Sequence, residues 1–362
     1  INIPNVTLTT ADVTAEDVTK YGVIEFNVLA GMLDPSETTV YSTDGSATVT
    51  ISKDAEGFTA KFVTFKNYYN TYELYSQSKT MFNDTQAVAA LVQADKSTFI
   101  NCYFTSYHDT LYAQVGRQYY ENCIIEGHTD YIFGYDATAY FKNSTIKSIG
   151  AGIDDNNGGY VVASKGNPVN GENIIYGYIF DGCTFTADEN AASGSVSLAR
   201  GWNTGMTMMI MNSTLTGHFS KEAYGYSESK FNDRYGKMNA EPVAEQLLEY
   251  NNTGDGAITE SIANTCTVVD EATAAKYADL VKVFTPYNGT TTYNDAWAGT
   301  VAKDATITIK NSDGYDIEVY ENISYIGSYI TNKQIEDITS KITAPSGKVF
   351  VDGCDVYAQN DE

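Results

Sequence analysis

The sequence predicts an all-β solenoid, a single-stranded parallel β-helix in which each coil of the chain stacks on the one before it. Long helical patterns are scarce, and segments such as Ala47–Phe65 alternate apolar and polar residues as β-strands do. A short motif also returns at a fixed spacing along the chain. The alternation predicts the strands, and the fixed spacing predicts the coils.

The repeated motif is an aromatic or apolar residue, a polar residue, Asn or Gly, Cys or Ser, and then a short alternating strand. "FINCYF" begins at Phe99, "YENCII" at Tyr120 and "FKNSTI" at Phe141, at intervals of 21 residues. "FDGCTF" begins at Phe180, 39 residues further on, as an insertion in one coil would produce, and a looser copy begins at Met209. Short strands and polar turns at such a period are typical of a parallel β-helix.

The same period aligns two acidic residues. Asp130 follows Asp109 by 21 positions, so the two carboxyl groups should lie side by side on neighbouring coils. By the same shift, Phe133 should stack on Tyr112. Two like charges at that distance resist ionising together, so one carboxyl group should keep its proton while the other stays ionised.

The apolar surroundings of Asp130 in "DYIFG" call for a cationic partner if this residue is ionised. The chain has three arginines, Arg117, Arg200 and Arg234. Arg200 lies two residues before Trp202, a spacing that puts both side chains on one face of a strand. We expect the guanidinium to hold a carboxylate and the indole to offer a stacking surface, with ordinary core packing as the alternative for Trp202.

The five cysteines form no metal-binding pattern. Cys102 and Cys123 lie one period apart and should stack. Buried thiols are the favoured interpretation, and a disulfide is compatible with the distance between stacked Cα atoms. Cysteine usage therefore does not decide the cellular compartment.

The charge of the chain limits its partners. A formal charge of −24 leaves no basic footprint for nucleic acid. No run of 18 apolar residues is present, so we expect no membrane span. The charge suits a secreted, soluble protein and should repel polyanions. The sequence opens at Ile1 on polar residues, as a mature or shortened chain would.

Five motifs, in order, resemble those of the pectin methylesterases, carbohydrate esterases with a right-handed parallel β-helix fold. They span roughly the region from residue 45 to residue 285 and make a specific match together. They are "TQAVAALVQ" (Thr85–Gln93), "YHDTLY" (Tyr107–Tyr112), "GRQYYENC" (Gly116–Cys123), "TDYIFG" (Thr129–Gly134) and "LARGWN" (Leu198–Asn203).

The resemblance implies a role for each catalytic residue. Asp130 would attack the methyl-ester carbonyl of a galacturonate unit and form an acyl-enzyme. Asp109 would protonate the departing methanol and then activate water. Gln86 would donate its amide to the oxyanion, and Arg200 would orient Asp130 and keep it ionised.

The resemblance also implies the substrate contacts. Trp202 and Phe133 would shape the contacts with the sugar and the methyl group, with Tyr112 and Tyr131 nearby. No metal or other cofactor is implied. An acidic chain should favour heavily methylated, nearly neutral pectin over the de-esterified polyanion.

His108 departs from the family pattern, because the family usually has a second oxyanion glutamine at this position. A serine triad is not indicated, since the chain has no G-x-S-x-G motif. We hypothesise that His108 donates a ring N–H to the oxyanion in place of an amide. The alternative is that His108 only braces its loop.

The domain organisation follows from where the motifs end. We expect a catalytic β-helix domain over residues 1–299, with an atypical or truncated N-terminal part at 1–45. Residues 300–362 should form a C-terminal extension, either a small appended module or a cap on the open end of the solenoid. Val269–Phe284 should form a C-terminal helix with Asp270 near its N-cap and Ala274, Tyr277, Leu280 and Val281 on its apolar face. In the extension, Ala305–Ile326 is predicted as strands and Thr331–Ile342 as a short helix.

Hydrolysis of pectin methyl esters by a secreted, extracellular monomer is therefore the function that the sequence favours. Another pectin-active β-helix enzyme, a polygalacturonase or a pectate lyase, is one alternative, because a fold does not determine an activity. A non-catalytic carbohydrate-binding β-helix protein is the other. Such a protein would not need the Asp/Asp/Arg/Gln constellation.

Overall fold

The structure is a computed structural model. The chain divides into two compact units, Ile1–Ala296 and Trp297–Glu362. The structure describes residues 1–11, 13, 17–36, 38–67, 69, 84–150, 159–166, 176–226, 233–284, 297, 302–310, 316–326 and 355–359.

Within the first unit, the described strands form three parallel sheets. Sheet A has the order β1 (Thr7–Thr9), β4 (Thr59–Lys61), β7 (Ser97–Ile100), β10 (Arg117–Glu121), β13 (Thr138–Lys142), β16 (Tyr178–Asp181), β19 (Met208–Met211), β22 (Leu247–Tyr250) and β23 (Thr267–Val268). Sheet B has the order β2 (Gly22–Phe26), β5 (Val63–Asn67), β8 (Tyr103–Thr105), β11 (Ile124–Gly127), β14 (Thr145–Ser148), β17 (Thr184–Ala187) and β20 (Thr214–Leu215). Sheet C has the order β3 (Val49–Ile51), β6 (Ala90–Val92), β9 (Leu111–Ala113), β12 (Ile132–Gly134), β15 (Tyr160–Ser164), β18 (Ser197–Gly201) and β21 (Tyr235–Lys237).

The chain passes through sheets A, B and C in turn, so three successive strands make one coil. This is the predicted right-handed parallel β-helix. The solenoid begins within the first 45 residues, because β1 already pairs with β4 and β2 with β5.

The repeated motif forms the corner between sheets A and B. The residue after each of β7, β10, β13, β16, β19 and β22 has a left-handed backbone, which Asn and Gly adopt at less cost than other residues. Phe62, after β4, adopts the same conformation. Backbone φ is between 49° and 52° at the asparagines and 67° at the glycine. The residues at this corner are Asn101, Asn122, Asn143, Gly182, Asn212 and Asn251.

Aromatic rings stack through the core beside this corner, one in each coil. Ring centroids are 4.8 Å apart between Phe99 and Tyr120, 4.7 Å between Tyr120 and Phe141, and 4.7 Å between Phe141 and Phe180. The strand pairing puts these four residues at one register position. The 21-residue spacing was therefore a correct measure of one coil.

The cysteines of the core are thiols, and the alternative of a disulfide between Cys102 and Cys123 is wrong. Both are free and buried, as are Cys183 and Cys266. The Sγ of Cys102 lies 3.4 Å from the carbonyl oxygen of Ile100, and burial raises the pKa of the Cys183 thiol to about 12. Each behaves as a small apolar residue.

The described helices are a 3₁₀ turn (Val18–Lys20), α1 (Ser42–Gly45), α2 (Glu271–Ala278) and α3 (Leu280–Phe284). None of them has the length and apolar character needed to cross a bilayer.

The single C-terminal helix predicted over Val269–Phe284 is two helices. Asp270 is the N-cap of α2, and its side chain accepts a hydrogen bond from the Thr273 backbone N–H. The backbone of Asp279 is extended, so the helix ends there and α3 does not continue its apolar face. Val281 is consequently 42% exposed, contrary to prediction, and Val283 and Phe284 are buried instead.

The second unit contains an antiparallel sheet of the described strands β24 (Ala302–Lys310), β25 (Asp316–Ile326) and β26 (Asp355–Gln359). The predicted strand character of Ala305–Ile326 is confirmed over β24 and β25. The helix predicted at Thr331–Ile342 lies outside the described residues.

The ring stack should carry much of the stability of the solenoid. Phe141→Ala is expected to lower the free energy of unfolding by about 3–5 kcal/mol, because it removes a fully buried ring and leaves a cavity. Urea denaturation followed by circular dichroism measures this change. Val281→Ala, at an exposed position, is the control and should cost about 0.5 kcal/mol or less. Equal effects of the two substitutions on the free energy of unfolding would contradict a stabilising role of the ring stack.

Candidate active site

Two aspartates occupy equivalent turns before adjacent strands of sheet C. Asp109 precedes β9 and Asp130 precedes β12, with backbone φ of 65° and 51°. The backbone N–H of Asp109 donates to the carbonyl of Thr129 at 3.0 Å. The predicted 21-residue register is confirmed next to this pair, where Leu111 lies opposite Ile132. Both side chains lie on one side of the sheet and are buried, at 7% and 3% exposure.

Arg200 binds one of the two carboxylates. From β18, its Nε donates to Asp130 Oδ1 at 2.7 Å and its Nη2 to Asp130 Oδ2 at 2.5 Å. The guanidinium also lies over the ring of Tyr160, 4.6 Å from the ring centroid. A bidentate pair of this kind compensates the burial of both charges.

The other two arginines have structural partners. Arg117 pairs with Asp95, and its Nη1 donates to the carbonyl of Phe284, the last residue of α3. Arg234 pairs with Glu249 in the core. Arg200 is thus the arginine that reaches the aspartate pair.

No described residue forms such a cationic pair with Asp109, and its carboxyl group holds its proton more tightly. Burial is the main reason that its pKa lies well above the ordinary value, and the charge of Asp130 raises it further. Arg200 acts in the opposite direction but does not offset the burial. Two residues of the same type therefore have different electrostatic surroundings, because only Asp130 is paired with Arg200.

His108 lies beside Asp109 at the same turn. Its Nδ1 is 3.0 Å from the Thr85 hydroxyl, and its Nε2 is 3.4 Å from Asp109 Oδ1. Burial lowers the pKa of His108 to about 4, although Asp130 acts to raise it. The ring is therefore neutral at neutral pH and carries one N–H.

The carboxyl groups open into a cavity of about 490 Å³. Along one wall, the rings of Tyr112 and Phe133 stack at 4.0 Å, as the period predicted, and those of Tyr135 and Trp202 lie 5.2 Å apart. The cavity is lined by Ser42, Thr43, Asp44, Gln86, His108, Asp109, Tyr112, Asp130, Phe133, Tyr135, Ala163, Arg200, Trp202 and Met238.

The structure brings together all the site residues predicted from the sequence except one: Asp130, Asp109, Gln86, His108, Arg200, Trp202, Phe133 and Tyr112 line the cavity. Gln86 Oε1 is buried with no hydrogen-bond partner among the described residues. The core-packing alternative for Trp202 is not favoured, because its indole lies on the cavity wall.

Tyr131 is the exception, and its prediction as a substrate contact is wrong. The left-handed turn at Asp130 directs the next side chain inwards, where Tyr131 is fully buried and its hydroxyl lies 3.0 Å from Ser148 Oγ. Gly127 makes room for it, since an added Cβ there would lie 2.3 Å from Tyr131 Cβ.

Sequence reasoning missed several residues of the site. Tyr135 could have been found, because it follows Phe133 at a strand spacing of two. Thr85 lies about one coil before His108, a weaker signal. Nothing in the sequence pointed to Asp44 or Met238, which come from distant coils.

A metal does not fit this donor set well. His108, Asp109 and Asp130 present possible ligand atoms within 4.8 Å of one another. Both oxygens of Asp130 already accept hydrogen bonds from Arg200, whose positive charge opposes binding of a second cation. We therefore assign no metal to the site.

Comparison with known proteins gives a consistent result. The family model described as Pectinesterase matches residues 27–283. The protein named "Probable pectinesterase A" of Neosartorya fischeri is 33% identical over 217 residues, which are 60% of this chain and 56% of that protein. The chain spans about half the length of the curated relatives it matches.

Solved structures of similar fold include two pectin methylesterases. The enzyme from Aspergillus niger superposes with a TM-score of 0.53 at 28% identity, covering 74% of this chain and 75% of that chain. The enzyme PemA from Erwinia chrysanthemi superposes with a TM-score of 0.59 at 24% identity, covering 80% of this chain and 86% of that chain. The second likeness shows the fold alone.

The raised pKa of Asp109 predicts a pH-dependent stability. The folded protein binds this proton more tightly than the unfolded chain, so the stabilisation is complete below about pH 4 and is lost as pH rises towards the folded pKa. Asp109→Asn should therefore gain stability relative to the wild type as pH rises, by about 1.4 kcal/mol for each unit of pKa shift.

Urea denaturation at intervals from pH 4 to 8 measures this difference. Asp54→Asn, which removes an exposed carboxylate away from the cavity, controls for the loss of one charge. A difference between Asp109→Asn and the wild type that stayed constant with pH would show that Asp109 is not held protonated by the fold.

Proposed function

The chain belongs to the pectinesterase family, and we propose from this premise that it hydrolyses the methyl esters of galacturonate units in pectin, releasing methanol and pectate. The observation that carries the proposal is the pair Asp109 and Asp130, adjacent and buried but unequal. Asp130 is ion-paired with Arg200, and the pKa of Asp109 is raised. Ester hydrolysis needs both a nucleophile and an acid, and the pair supplies one of each.

The first half of the reaction forms an acyl-enzyme. A carboxylate oxygen of Asp130 bonds to the ester carbonyl carbon, and the carbonyl electrons move to its oxygen. When they return, the bond to the methoxy oxygen breaks, and Asp109 transfers its proton to that oxygen. Methanol leaves, and Asp109 becomes a carboxylate.

The second half regenerates the enzyme. Asp109 takes a proton from water, whose oxygen attacks the acyl carbon. The bond to Asp130 breaks, which returns Asp130 as a carboxylate beside Arg200 and leaves a free galacturonate carboxyl group. Asp109 is protonated again, so the proton balance closes over one turnover.

Gln86 and His108 are the proposed donors to the oxyanion. Both line the cavity beside the aspartates. Thr85 holds Nδ1 of His108, and donation by its hydroxyl would leave the ring proton on Nε2, the nitrogen nearest Asp109. A donor in this place stabilises negative charge on the carbonyl oxygen in the transition state.

The aromatic wall is the proposed sugar-binding surface. Trp202, Phe133 and Tyr112 offer apolar ring faces of the kind that pack against the C–H face of a sugar, and Tyr135 extends the wall between them. A sugar bound on this wall would lie beside the two carboxyl groups, because both line the same cavity.

The remaining features of the proposal concern the whole protein. We propose a secreted, extracellular enzyme that acts as a monomer on methyl-esterified homogalacturonan, without nucleic-acid or membrane partners. We also propose that residues 1–299 form the catalytic domain and that residues 300–362 form a separate small module. The division of the described chain near residue 296 supports this boundary.

Asp130→Asn should abolish methanol release from highly methylated pectin, by roughly a thousandfold or more, because it removes the nucleophile. Asp109→Asn should lower kcat by about 10²–10⁴-fold, as expected for the loss of a general acid and base. Asp54→Asn should retain wild-type turnover.

Methanol, new reducing ends and unsaturated-uronate absorbance are followed together in these assays. Reducing ends would indicate a polygalacturonase, unsaturated product a pectate lyase, and silence in all three channels a binding protein.

His108→Phe should lower kcat by about 10²–10³-fold, because it removes one oxyanion donor. His108→Gln should restore most of that rate and remove an acid-side inflection near pH 4 from the profile of kcat/KM, since the amide does not titrate. Steady-state kinetics between pH 3.5 and 8 make the comparison. An unchanged rate and profile in His108→Gln would mean that His108 only braces its loop.

A further inference from the structure

The charged groups that line the cavity do not all cancel. Asp130 and Arg200 form a pair, Asp109 is held towards its neutral form, and His108 is neutral. Asp44 remains. Its side chain is exposed at the cavity, and no described residue forms an ion pair or side-chain hydrogen bond with its carboxylate.

Asp44 lies at one flank of the aspartate pair. It belongs to α1, which directly precedes β3, and sheet C runs in the order β3, β6, β9, β12 and β15. Asp109 and Asp130 precede β9 and β12, so Asp44 lies on the β3 side of them. Its charge reaches the cavity wall, because it adds to the effect of burial in raising the pKa of Tyr112.

A cation lies on the opposite flank. Lys165 directly follows β15, and its Nζ lies over the ring of Tyr135, 5.0 Å from the centroid. Strand spacing in a sheet is about 4.8 Å, so the two flanks are separated by several strand spacings. Asp44 therefore lines the cavity on the β3 side, and Lys165 lies outside the lining on the β15 side, over the ring of Tyr135.

This polarity matters for a polymer whose units differ in charge. A methyl-esterified galacturonate is neutral, and a de-esterified one carries a carboxylate. We propose that Asp44 is a specificity-determining residue that excludes a free carboxylate from the β3 flank, so that the sugar unit there must be esterified, while Lys165 favours a free carboxylate on the β15 flank. The inference rests on the proposed esterase activity.

Kinetics on fully and half-esterified galacturonate oligomers of equal length test the proposal. At low ionic strength, Asp44→Asn should raise kcat/KM on the half-esterified oligomer by roughly threefold, the effect of one charge at about 6 Å in water, and leave the fully esterified oligomer unchanged. Lys165→Gln should lower kcat/KM on the half-esterified oligomer. Both effects should disappear at about 1 M salt, which shortens the Debye length to about 3 Å.

Asp54→Asn is the matched control, since it removes the same charge from a position that does not line the cavity. If Asp44→Asn and Asp54→Asn gave the same ratio of kcat/KM on the half-esterified and fully esterified oligomers, the inference would be wrong. Release of methanol in the same assay would still support the proposed esterase activity. Methanol release from neither oligomer would instead contradict the proposed function. Calorimetric binding of both oligomers to Asp130→Asn, with and without Asp44→Asn, tests the charge effect without turnover.

Discussion

The parallel hydrogen-bonding register between successive coils is the constraint on which the rest of the structure depends. It repeats each local feature once per coil: the left-handed Asn corner, the core ring and the turn before the sheet-C strand. Because side chains alternate along a strand, a slip of one residue would exchange the core face with the outer face and separate the two carboxyl groups. One coil is therefore the unit of core packing, and its length puts Asp109 beside Asp130.

The two aspartates of this regular solenoid differ in their ion pairing. The two aspartates have the same residue type and the same left-handed backbone, yet a guanidinium 70 residues away in the chain binds Asp130 alone. Tyr160, on the strand between those of Asp130 and Arg200, supports the guanidinium from its face. The repeat supplies two equivalent acids, and a single residue from a later coil makes them inequivalent.

The two faces of sheet C contribute to two different hydrophobic clusters. Ile132 belongs to the main core, whereas its neighbour Phe133 packs with Tyr112 and Ala163 in a second cluster on the outer side, where Trp202 and Met238 join it. The inner face stabilises the solenoid, and the outer face is available for a ligand.

The sequence by itself determined the solenoid, its 21-residue coil, the pairing of Asp109 with Asp130 and the stacking of Tyr112 on Phe133, because all of these follow from periodicity along one chain. Strand spacing also predicted correctly that Arg200 and Trp202 share a face. Tyr131 was misplaced, because the resemblance put it among the substrate contacts, whereas the turn at Asp130 directs its side chain into the core. The tertiary structure alone decided that Thr85 contacts His108 and that Asp44 lies at the cavity. Neither position follows from the repeat: Thr85 lies 23 residues before His108 rather than one period of 21, and the distance from Asp44 to Asp109 along the chain is not a whole number of periods.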